Sequence, residues 1–130
     1  MIDISCGEEH AALITKDKAL YTWGYGHDGQ LGIFSKIHLA TPVKVESVDH
    51  KVSKVVCGGG HTAVITKDGE LLLFGRGRDG QLGRSDIIES IAVSRPTPSK
   101  VDFFSVCEMM VDDVALGTNH SIALTTKKNK

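Results

Sequence analysis

Cys57–Gly83 reads CGGGHTAVITKDGELLLFGRGRDGQLG, and Cys6–Gly32 reads CGEEHAALITKDKALYTWGYGHDGQLG. The two stretches align without a gap. His61 follows His10 by 51 residues, as Phe74 follows Trp23 and Gly83 follows Gly32. A third start, LGTNHSIALTT, sets Gly117 and His120 against Gly58 and His61 at 59 residues. The surplus is taken up between Gly83 and Gly117, where RSDIIESIAVSRPTPSK replaces the shorter IFSKIHLATPVK. Self-similarity at a period near fifty means a propeller or solenoid before it means anything else.

Each unit reads as β-structure. AALIT (Ala11–Thr15) and TAVIT (Thr62–Thr66) are short runs with β-branched residues, and KDK and KDGE follow as turns. Asp68-Gly69 is a strong hairpin dipeptide. LYTW and LLLF are second strands. TPVKV (Thr41–Val45) and SKV (Ser99–Val101) are weaker, edge-like strands entered after a proline. VSKVVCG (Val52–Gly58) and VDDVALG (Val111–Gly117) lead into the next unit. Four strands per unit imply an all-β chain, a partial β-propeller of four-stranded antiparallel blades. The divisions expected are blade 1 over about 2–53, blade 2 over about 54–110, half of a third blade over about 111–126, and a basic tail over 127–130. No long helix is expected; Ser85–Val93 has the pattern for a turn or two, with Ser85 as N-cap.

The chain's 130 residues suffice for one domain. No apolar run approaches a membrane span. Met1 leads into IDISCGEEH, which has neither the basic start nor the apolar segment of a secretory signal. A net charge of −1 gives no general pull toward nucleic acid. The three cysteines are an odd number, which favours free thiols and an intracellular setting, cytoplasmic or nuclear.

The glycines pose a question of chemistry. Gly24, Gly26 and Gly29 fit G-x-G-x-x-G, the dinucleotide-binding turn. That chemistry needs a helix opening at the third glycine. Here Gln30-Leu31-Gly32 follows, and the pattern recurs at Gly75, Gly77 and Gly80. One cofactor site does not need two copies, so the expectation is a scaffold loop without a cofactor, anchored by Leu31 and Leu82. Cys6-x-x-x-His10 and Cys57-x-x-x-His61 together carry four potential zinc ligands. The third unit has Leu116 where the others have cysteine, which marks a core position, so no metal is expected. His10, His61 and His120 recur in every unit, which suits a structural imidazole tying loop backbones together.

GGGHTAVITKDGELLLFGRGRDGQLG resembles the repeat of the regulator of chromosome condensation family, whose members are typically seven-bladed propellers. The resemblance rests on the Gly-x-x-His start, the Asp-Gly hairpin, the Trp/Phe-Gly strand end, the Gly-Gln-Leu-Gly loop and the later Thr-Pro. It makes Gly7, His10, Trp23, Gly24, Gly29 and Gly32 repeat positions, with Gly58, His61, Phe74, Gly75, Gly80 and Gly83 in the second unit and Gly117 and His120 in the third. A closed ring at about fifty residues per blade needs roughly 350 residues. Two and a half units therefore imply a piece of a larger propeller, or self-association that covers the open faces.

What does not repeat is the candidate for recognition, because loops on a rigid frame carry function. Tyr25 and His27 stand where the second unit has Arg76 and Arg78, and Arg84 lies nearby. The resemblance implies a protein-interaction module with a protein partner. The alternative is a guanine nucleotide exchange factor for a small GTPase of the Ran type. The family's exchange residues sit on an inserted wedge and on loops gathered from many blades, and nothing here matches them residue by residue. No spacing singles out a catalytic triad, phosphate loop or zinc-protease helix, so no enzymatic activity is expected.

Overall fold

The computed structural model describes residues 3–27, 29–33, 37–46, 48, 51–76, 94–100, 109–117 and 121–127. Ten strands run in chain order: β1 Asp3–Cys6, β2 His10–Ile14, β3 Leu20–Gly24, β4 Leu39–Lys44, β5 Val52–Cys57, β6 His61–Thr66, β7 Leu71–Arg76, β8 Ser94–Lys100, β9 Met109–Leu116 and β10 Ser121–Lys127. They form three antiparallel sheets, β1-β2-β3-β4, β5-β6-β7-β8 and the hairpin β9-β10. Each sheet is a meander in which every strand pairs with its neighbour in sequence, the connectivity of a propeller blade. Among the described residues no helix is long and apolar enough to cross a membrane.

Register repeats with sequence. In the first sheet His10 pairs with Gly24 and Ala11 with Trp23; in the second, His61 pairs with Gly75 and Thr62 with Phe74. Both sheets shift register at the next pairing, between Thr22 and Gly24 and between Leu73 and Gly75. The outer strands differ from expectation. β4 starts at Leu39, and β8 runs from Ser94 to Lys100, longer and earlier than Ser99–Val101. β8 includes Pro96 and Pro98 and β4 includes Pro42. An edge strand tolerates proline because one of its sides has no ladder bond to lose. The divisions at 53/54 and 110/111 fall inside β5 and β9. Ser85–Val93 and Leu82 lie outside the described residues.

Blades bury each other's faces. The forward face of the first sheet (Ala12, Ile14, Leu20) packs with Val52, Val55, Cys57, Val64, Leu72 and Phe74 of the second. The second sheet's other face (Ala63, Ile65, Leu71, Leu73) packs with Val111 and Val114 of β9. Covered on both sides, β6 is buried at every residue, whereas β1 alternates between half-buried and exposed. Each fully buried Leu, Ile or Phe contributes about 1.5–3 kcal/mol. The cover ends at the third sheet: Ile122 and Leu124 are 64% and 65% exposed, whereas Ala63 and Ile65, in register with them, are 0% and 3%.

The β2–β3 and β6–β7 hairpins share one geometry. Lys18 N–H donates to Thr15 O and Gly69 N–H to Thr66 O, both at 3.0 Å. Lys18 has φ 68° and Gly69 φ 80°. A lysine in this left-handed region costs roughly 1–2 kcal/mol, part of which a glycine would lose again through unfolded-chain entropy. Lys18→Gly is therefore expected to stabilise the chain by about 0.5–1 kcal/mol. A lower midpoint in denaturant titration would contradict the assignment.

Candidate functional site

The Gly-x-x-His start of each of the first two units closes a tight turn. Gly7 N–H donates to His10 O at 2.7 Å, and Gly58 N–H to His61 O at 2.8 Å. The residue after each glycine donates to the next blade: Glu8 N–H to Gly58 O at 3.4 Å, and Gly59 N–H to Gly117 O at 3.2 Å. A side chain on either glycine would have no room. A Cβ on Gly7 would strike Gly58 O and come within 2.8 Å of the His10 ring, and one on Gly58 would meet His61, Gly117 O and Leu116. At the other end of the strands, Val52 N–H donates to Lys18 O at 3.1 Å and Val111 N–H to Gly69 O at 2.9 Å. Blade follows blade through the same backbone atoms twice.

His10 joins the first junction through its side chain. Its Nε2 lies 2.8 Å from Thr62 Oγ1, and the Thr62 hydroxyl donates to Gln30 O at 2.8 Å. Threonine has one hydroxyl proton, so His10 Nε2 carries the proton on the histidine side. The imidazole thus ties its blade to a hydroxyl of the next rather than bridging two loop backbones. Burial and the neighbouring His61 push its pKa down to about 4, against a smaller pull from the His61 backbone.

The loop after β3 is a series of turns. Gly29 N–H donates to Gly26 O and Gly32 N–H to Gly29 O, at 3.0 and 3.1 Å. Gly24, Gly29 and Gly32 have φ of 111°, 81° and 70°. Leu31 is buried and its carbonyl accepts from Thr22 Oγ1 at 2.7 Å. Gly32 lies against the Phe74 ring of the next blade, where a Cβ would come to 2.8 Å of Cε2. The loop is therefore a junction part, with turns where a nucleotide site would open a helix. Trp23, in register with Phe74, is only half-buried on the uncovered face of blade 1.

The cysteines differ in setting. Cys57 is buried, its N–H donating to Ser5 Oγ at 3.0 Å and its thiol to Ser5 O at 3.4 Å. Burial pushes the thiol up to about 12, with the Ser5 hydrogen bond opposing. Cys6 is exposed. Among the described residues no three His, Cys, Asp or Glu side chains are grouped to hold a metal.

The non-repeating residues collect at one end of blade 1. Tyr25 N–H donates to Glu9 O at 2.8 Å. The Tyr25 ring lies 4.5 Å from His38 and 5.9 Å from His27, centroid to centroid. Gly26 N–H donates to His38 Nδ1 at 3.2 Å, which leaves Nε2 to carry the ring proton. His27 and His38 are exposed and Tyr25 half-buried. His38 was not among the sequence candidates. It falls where the units differ in length, so alignment gave no signal for it. Gly80, Gly83, Arg78, Arg84 and His120, and the side chain of Arg76, lie outside the described residues.

Two sequence models described as "Regulator of chromosome condensation (RCC1) repeat" match, one over residues 17–65 and 68–124, the other over 1–30 and 52–81. The chain belongs to the regulator of chromosome condensation repeat family. The human X-linked retinitis pigmentosa GTPase regulator is 36% identical over 125 residues, 95% of this chain and 12% of that protein. The Arabidopsis thaliana ultraviolet-B receptor UVR8 is 32% identical over 124 residues, 95% of this chain and 27% of the receptor. In fold, Prp20p from Saccharomyces cerevisiae superposes with a TM-score of 0.82 at 18% identity, over 98% of this chain and 31% of that one. Human WBSCR16 superposes equally well at 23% identity, over 95% and 30%. The chain thus spans less than a third of the length of each of these proteins.

Three outcomes test the junction chemistry. In the unfolded chain His10 titrates near 6.5, but in the folded chain only near 4. The unfolded state therefore binds the extra proton first as pH falls. The full contribution is present above pH 6.5 and is lost between about 6.5 and 4. Thr62→Val, which removes the hydroxyl's bonds to His10 Nε2 and the Gln30 carbonyl, is expected to cost about 1–3 kcal/mol in a denaturant titration at pH 7. Alkylation of the native chain, mapped by mass spectrometry, should label Cys6 quickly and Cys57 only on unfolding, because the thiolate is the reactive form.

Proposed function

We propose that this chain is a segment of a larger propeller and serves as a protein-interaction module, with blade 1 presenting the contact. One observation carries this reading: Tyr25, His27 and His38, none of them a repeat position, bring their rings together at one end of blade 1. Loop side chains that the repeated scaffold does not prescribe can be selected for a partner. Repeat proteins of this family provide the precedent, for Prp20p is described by its binding to Gsp1p and histones. The family's fold needs no catalytic group for such a role, and we assign none. The odd cysteine count and the buried Cys57 thiol favour a reducing compartment inside the cell.

The second reading, nucleotide exchange on a small GTPase of the Ran type, is favoured by the similarity to the GTPase regulator. A Tyr25→Ala/His27→Ala variant is expected to keep its melting temperature within about 2 °C, as surface changes do. It should lose at least tenfold affinity for a protein partner of the intact propeller, read by quantitative co-precipitation with the wild type in parallel. Equal recovery of every partner by the variant would refute the module reading at this loop. Faster nucleotide release from a Ran-type GTPase with wild-type chain would establish the exchange reading in its place.

A further inference from the structure

The first strands of the three sheets, β1, β5 and β9, carry Asp3, Lys54 and Asp113 at equivalent repeat positions. Each aspartate makes a contact across a junction. Asp113 Oδ1 accepts from its own Val114 N–H at 2.8 Å and pairs with Lys54 Nζ of the preceding blade at 2.6 Å. Asp3 Oδ1 accepts in the same way from its own Ile4 N–H at 3.0 Å, while Oδ2 accepts from Val55 N–H of the following blade at 3.4 Å. Each aspartate thus caps its own strand through Oδ1. Asp113 Oδ1 also meets the lysine of the blade before it, and Asp3 Oδ2 meets an N–H of the blade after it. Lys54 cannot accept from an N–H, and its strand needs no self-cap because Asp3 supplies the acceptor for Val55.

Asp3 repeats, in the same register and with the same Oδ1 cap, the arrangement with which Asp113 receives an ammonium from the blade before it. The uncovered face of blade 1 beside it is apolar: Ile4 is exposed, and Leu13, Tyr21 and Trp23 are half-buried. These are the register equivalents of Val55, Val64, Leu72 and Phe74, which blade 1 itself covers in blade 2. We infer that the blade covering the open face of blade 1 is one that carries a lysine or arginine in the register of Lys54, placed to pair with Asp3. The inference rests on the larger-propeller reading and names the partner face it needs.

A second copy of this chain is the wrong occupant. Docked head to tail, its third sheet would bring Asp113 up to Asp3. Facing like charges penalise an interface and are a known device against wrong partners. The register of Thr62, whose hydroxyl receives the preceding blade's histidine, is also filled by Ala11 on the open face.

The test uses the whole chain. In the Lys54→Glu/Asp113→Lys variant the internal pair is reversed but kept, and the third sheet now offers an ammonium to the Asp3 of another copy. Alone, it should self-associate about tenfold more tightly in sedimentation velocity than wild type does. Charge-based gain of this kind should shrink as salt rises toward 1 M. Adding Asp3→Lys to the same variant should abolish the gain. Wild type self-associating as tightly as the variant overturns the inference, as does a gain that survives the added Asp3→Lys; either leaves the larger-propeller reading standing. Chains that stay monomeric and melt cooperatively in all three forms overturn both.

Discussion

A single backbone hydrogen bond organises the molecule: the N–H after the first glycine of one unit donates to the matching glycine carbonyl of the next. It requires two backbones to approach with no Cβ between them, which only glycine permits. It also aims the following histidine into the junction, because the turn that holds the glycine closes on the histidine carbonyl. From that point the strands diverge as blades, and the apolar faces meet in the register the turn has set. The second set of backbone bonds, from Lys18 O and Gly69 O, pins the opposite ends. Two fixed points per junction make the blade faces a stacked series rather than sliding plates.

Among the described residues, buried polar side chains link the blades, although His10 Nδ1 and His61 Nδ1 are buried without a hydrogen bond. His10, Thr62 and Gln30 form a relay in which one hydroxyl proton settles the direction of each bond. The imidazole remains neutral because burial disfavours its charged form and a second histidine is close. Cys57 shows the same logic in sulfur, its thiol protonated and bound to the Ser5 carbonyl. These contacts specify which face meets which, while the apolar side chains supply most of the stabilisation.

Much of this was legible before any coordinates. The gapless match of Cys6–Gly32 to Cys57–Gly83 gave the blade, its strands and the glycine positions, since each depends on local turn chemistry that recurs. What alignment could not give was the direction of contacts between units. Thr62 looked like one more strand residue; its role comes from a partner 52 residues away. Lys18 gave no sign of a left-handed backbone, because tertiary contacts override its preference there. The sequence understates the length of β8 because Pro96 and Pro98 argue against a strand, and only an edge position reconciles them with one. His38 lies in the stretch whose length varies between units, so no register assigned it a role.

The reliance of the junctions on main-chain atoms has a consequence for how such a gene can lengthen. A duplicated unit would arrive with its own donor after the glycine and its own acceptor on the glycine, so it could be inserted without inventing a new bond. Copies would then diverge at side chains that the backbone scheme ignores. In this chain that divergence is visible as Ala11 beside Thr62, and as aspartate, lysine and aspartate at 3, 54 and 113. The main chain lets any unit follow any other, and the accumulated side-chain differences are what give the series a fixed order.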